Sequence, residues 1–171
     1  MKKIKKEVIN KDTKGIKNYE IDQSGKIEQT NKDTVLCLSN GIWDTILVKA
    51  ETKRSLLEVF RRNGQIRNFI LFTFSAILAI IIERNINLGR IVIDREYYGK
   101  EPIIKKLLEE MSTKIKERAI LEFGLVGKTS RADFIAGEVF SGKIKPKSTI
   151  TKEELLKVIK KTEVGKQLKD A

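Results

Sequence analysis

Three aspartates sit where an apolar segment meets a turn: Asp22 in Tyr19-Glu-Ile-Asp-Gln-Ser-Gly25, Asp94 in Ile91-Val-Ile-Asp94, and Asp133 in Ala132-Asp-Phe-Ile-Ala-Gly137. That placement suggests a carboxylate cluster built to hold a divalent metal. Carboxylates held close together repel unless a cation or a proton intervenes, and oxygen ligands are what magnesium and manganese prefer. Paired metals in such a cluster activate water and stabilise the leaving oxygen of a phosphodiester without a histidine base. The chain has no histidine and a single cysteine, which removes Ser-His-Asp and Cys-His catalysis and His-ligated zinc.

The acids need a scaffold, and the chain is long enough for one domain with a proper core. Apolar residues make up 40% and charged residues 34% of its 171 positions, a balance that favours a folded protein with a heavily charged surface. Lys and Arg outnumber Asp and Glu by 35 to 23, for a net charge of +12. Such a field attracts polyanions, and nucleic acid is the first partner to expect. Cys37, alone among apolar neighbours, has the setting of a buried thiol in a reducing, cytoplasmic compartment. Met1-Lys-Lys-Ile-Lys-Lys6 resembles a secretory n-region but is followed by charged and polar residues, so secretion is not expected. Phe69 to Ile82 is almost continuously apolar yet falls short of the roughly 20 residues that span a bilayer. A buried core helix is expected there and no membrane, with part of its surface available for a homodimer.

Residues 1–16 form a Lys-rich arm without sustained period. Strands are expected over Tyr19–Asp22, Thr34–Leu38 and Ile42–Val48, with Asn40-Gly41 as the hairpin turn. A helix from about Glu51 and the apolar helix follow, and Asn87-Leu-Gly89 turns the chain into a buried strand, Arg90–Asp94. Pro102 opens another helix, Ala119–Phe123 is a strand, and Ser130–Phe140 is a helix. Thr151-Lys-Glu-Glu154 is a capping box for a last helix, placed in a C-terminal extension over 145–171 beyond a main domain at 17–144. This order is α/β: a mixed sheet with an antiparallel three-strand meander plus parallel strands, flanked by helices. A right-handed crossover sets the strand ending at Asp94 parallel to the first, so that Asp22 and Asp94 emerge at one edge.

Asp22-Gln23-Ser24-Gly25, Glu51-Thr52-Lys53, Ile93-Asp94 and Ser130-Arg131-Ala132-Asp133, in this order and strand context, resemble the ribonuclease H-like nuclease fold. More narrowly, the chain is similar to a large, little-characterised group within it, which has Asp-Glu-Ser-Gly, Glu-x-Lys and Leu-Gln-x-Ala-Asp at these places. Gln23 and Thr129-Ser130-Arg131 depart from that pattern. The resemblance implies Asp22, Glu51, Asp94 and Asp133 as catalytic ligands of Mg2+ or Mn2+, with Glu96 a nearby substitute. It also implies a metal-dependent nuclease, or a nucleic-acid-binding relative that has lost its site.

Each acid also has an ordinary reading: Asp22 as an Asx turn, Asp133 and Glu51 as helix-start acids answering the dipole. Gly124-Leu-Val-Gly-Lys-Thr-Ser130 looks like a phosphate-binding P-loop but has two residues between its glycines where four are needed. Lys128 is better used on a nucleic-acid backbone beside Asp133, together with Arg131 and Lys53. Arg95 and Tyr97, just past Asp94, combine a cation with a stacking ring suited to a single strand; the alternative for Tyr97 is a cap on the core edge.

Overall fold

The computed structural model describes residues 17–39, 41–85 and 89–170. The N-terminal arm, Asn40 of the hairpin turn, and Asn87 and Leu88 of the return turn lie outside them. Six strands form one mixed sheet in the order β5-β4-β1-β2-β3-β6. The meander is β1 (Lys17–Ser24), β2 (Thr34–Ser39) and β3 (Trp43–Val48), all antiparallel. On its other side β1 pairs in parallel with β4 (Gly89–Asp94), and β4 with β5 (Ala119–Gly124). A two-residue strand, β6 (Ser148–Thr149), adds to β3 in parallel.

Alternation along the strands gives the sheet two apolar faces. Tyr19, Ile21, Leu36, Leu38, Ile46, Val48, Ile91 and Ile93 point into the larger core. That core is closed by α1 (Ala50–Arg62), α2 (Phe69–Asn85), α3 (Glu101–Met111), α4 (Thr113–Arg118) and α6 (Lys152–Ile159). The opposite face, with Val35 and Cys37 on β2, is covered by α5 (Arg131–Phe140) through Ala132, Ile135, Ala136 and Val139. β2, apolar on both sides, is buried at every position, as a strand covered on both faces must be.

Helix α2 is apolar all round because it lies between the sheet and a second helical layer. The span Ile66–Asn85 is long and apolar enough by length and composition to cross a membrane, yet 61% of it is buried within the chain. Beyond the boundary expected at 144, Leu155, Leu156, Ile159 and Leu168 pack into the main core. The capping box is present, with the Thr151 hydroxyl accepting from the Glu154 N–H and the Glu154 carboxylate accepting from the Thr151 N–H.

Candidate metal centre

Parallel pairing of β1 with β4 up to Ile21↔Ile93 sets Asp22, still paired with Cys37 of β2, beside Asp94, the last residue of β4. Since Ile21 and Ile93 fill the larger core, the next residue on each strand points to the face under α5. Asp22 is only 5% exposed. The Gln23 N–H donates to its Oδ1 at 2.7 Å. Asp94 is fixed from the neighbouring strand: the Val126 N–H donates to Asp94 Oδ1 at 2.8 Å, and the Arg95 N–H donates to the Gly124 carbonyl at 2.9 Å. The segment that imitates a P-loop therefore orients a carboxylate with a backbone amide.

Glu96 completes the group. One carboxylate oxygen from each of Asp22, Asp94 and Glu96 lies within 4.8 Å of the others. Asp133 approaches Asp22 from the first turn of α5, where Ser130 caps the helix by accepting from the Ala132 N–H at 3.1 Å. The same hydroxyl donates to Glu20 Oε2 at 2.7 Å, tying the start of α5 to β1. Burial first, then the facing Asp133 carboxyl and the Asp94 charge, push Asp22 up to about 7, against the pull of the Gln23 N–H. Glu96 is also raised, by burial and then by Asp94, with Lys26 acting the other way. These are the marks of negative charge gathered into a partly dry corner. An all-oxygen donor set whose members resist ionising together fits a hard divalent cation such as magnesium or manganese.

Glu51 does not join this group. It is exposed at the start of α1 and lines a separate groove with Lys49, Thr52, Ser55 and the residues around Thr151. Glu96 is the third carboxylate of the group instead. Lys53 is corrected too: it is fully buried and unavailable to any nucleic acid. Its ammonium donates to the Lys26 carbonyl at 2.9 Å, the Gln29 carbonyl at 2.8 Å and Thr34 Oγ1 at 2.9 Å. Burial pushes its pKa down to about 8, opposed by Asp33 and Glu28.

Tyr97 is a core-edge ring, packed edge-on against Phe74 at 5.0 Å, with its hydroxyl 3.2 Å from Glu28 Oε2. Its neighbour Tyr98 is the exposed ring, and the Arg95 guanidinium sits 5.8 Å from it. Arg95 is itself held by Glu101 at 3.1 Å and by the Phe123 carbonyl at 3.2 Å. Lys128 is exposed. Arg131 turns away from the acids and donates to the Gly41 carbonyl at 3.2 Å, by the β2–β3 connection. Glu96 and the Val126 amide were the participants hardest to find in sequence. The only signal for Glu96 is its closeness to Asp94, and a backbone donor has no residue type.

Comparison with protein-family models, with curated proteins and with solved structures gave no match.

Proposed function

We propose that this protein is a divalent-metal-dependent nuclease, or a related phosphodiester-cleaving enzyme, on a ribonuclease H-like domain. The observation that carries the reading is the convergence, within 4.8 Å, of Asp22 on β1, Asp94 at the end of the adjacent parallel strand β4 and Glu96 just past it. A meander followed by two strands parallel to its first member supports the fold reading, and the net charge of +12 supports a polyanionic substrate.

Asp22, Asp94 and Glu96 would hold magnesium or manganese, with Asp133 reaching in from α5. Bound there, the metal would supply positive charge that acidifies water and neutralises a leaving oxygen. The protein's part is positional. Asp94 keeps one oxygen on the Val126 amide, which aims the other at the group. Asp22, raised to about 7 in the metal-free protein, would give up its proton as the cation binds, because a neighbouring positive charge favours the carboxylate. Exposed Lys26, whose charge acts on Glu96, suits a flanking phosphate, as does exposed Lys128 two residues past the Val126 amide that holds Asp94.

The test is cleavage of single-stranded, duplex, hybrid and branched RNA and DNA with magnesium or manganese. Asp94→Asn is expected to lower the rate at least ~100-fold while leaving the melting temperature close to that of the parent protein. A clean preparation that cuts none of these substrates with either metal overturns the enzymatic reading.

A further inference from the structure

Helix α5 carries a glycine that the chain itself does not require. Gly137 sits in the helix interior, where glycine is among the least favourable residues, and a Cβ built there would meet nothing within 4 Å. No close packing inside the protein explains it. Its place on the helix is informative. Ala132, Ile135, Ala136 and Val139 face the sheet, while Asp133, Gly137 and Phe140 follow one another at i, i+4 and i+7 along one flank. That flank starts at the acid group, where Asp133 meets Asp22. About 10 Å further along the axis it reaches Phe140, which is 38% exposed. The Phe140 ring lies over Gly25, close enough that a Cβ at Gly25 would come within 2.6 Å of it. Beyond the helix the chain continues with exposed Lys143 and Lys145, Lys143 also pairing with Glu138 at 3.2 Å.

A carboxylate corner, bare helix backbone and a partly open aromatic ring thus follow one another along one flank of α5, and two exposed lysines come just after it in the chain. We propose that this flank of α5 is the track of a single strand of nucleic acid leaving the acid group, its backbone against Gly137, a base on Phe140 and a phosphate near Lys143 and Lys145. The choice of partner follows from charge and shape: the lysines suit an anion, the partly exposed Phe140 ring suits a flat apolar group, and an unpaired base on a phosphate backbone combines the two. A duplex keeps its bases stacked and cannot present one to Phe140. The proposal rests on the nuclease reading for what happens at the acids, and on α5 alone for the route.

Anisotropy of labelled 12-nucleotide oligouridylate and oligothymidylate, and of a 12-base-pair duplex, measured on the full chain in EDTA, tests the route without cleavage. The expected result is tighter binding of a single strand than of the duplex, weakened about tenfold by Gly137→Leu and by Phe140→Leu. Gly137→Ala supplies the folding control: it should raise the melting temperature by about 2–4 °C and still weaken binding. Equal affinity of the Gly137→Leu protein, preference for the duplex, or no binding of any oligonucleotide overturns the track. Cleavage through Asp94 that is indifferent to Gly137→Leu removes the track and leaves the nuclease. Binding as described with no cleavage under any metal does the reverse.

Discussion

Asp22 shows how a single side chain can report on its surroundings. An aspartate in the unfolded chain titrates near 3.8, and in the fold it is pushed up to about 7, burial being the largest cause. Between those values the folded state binds more protons than the unfolded one, so stability falls as pH rises from 4 to 7 and is recovered on acidification. The expected slope from this group in metal-free protein is about 1 kcal/mol per pH unit. Urea unfolding in EDTA at pH 5 and pH 7 measures it. Asp22→Asn should flatten the difference, and manganese should stabilise the protein more at pH 7 than at pH 5. Equal stability of the parent at the two pH values would show that Asp22 is not confined as described. Asp22 and Asp94 were legible in sequence because each ends an apolar run at a turn, and the strand period then fixes the face. Glu51 was misplaced for the converse reason: an acid at a helix start has a sufficient local role, and nothing local says which groove it borders.

At the scale of elements, the loop between β1 and β2 is held by α1 through the buried Lys53 ammonium, with Arg54 donating to the Thr30 carbonyl and the Ala50 N–H to Asp33 Oδ1 beside it. Lys53 satisfies two carbonyls and a threonine hydroxyl, and Lys26, whose carbonyl it fixes, faces the acids on its other side. Lys53→Met removes the donor and leaves the acceptors buried, at a cost of about 3–5 kcal/mol. Denaturant unfolding should show that loss, and hydrogen exchange should show residues 26–33 opening before the sheet. Exchange unchanged in that loop would place the anchor elsewhere. A lysine is exposed by default, so its sequence context gave no reason to bury it. The strands, α1, α3, α5 and the capped α6 were visible as periods and caps. β6 has two residues and α4 six, too few for either period to repeat, and their existence depends on what they pack against.

The whole molecule has one main core, to which its last residues contribute. Residues 145–171 are expected from sequence as a C-terminal helical extension, and within them Ile150, Leu155, Leu156, Ile159 and Leu168 are almost wholly enclosed. A protein ending at residue 144 is expected to lose cooperative thermal unfolding and to bind hydrophobic dyes, not merely to lose a helix. A sharp two-state melt of that truncation would restore the separate extension.

The enclosure of α2 also has a consequence for biosynthesis. Its apolar surface is greasy on every side, and part of its cover, α6 with Leu168, lies more than 60 residues downstream. Translation therefore delivers the stickiest segment of the chain well before its lid. During that interval α2 is a natural ligand for chaperones, and the rate at which residues past 150 emerge sets how long the nascent chain must be shielded from aggregation.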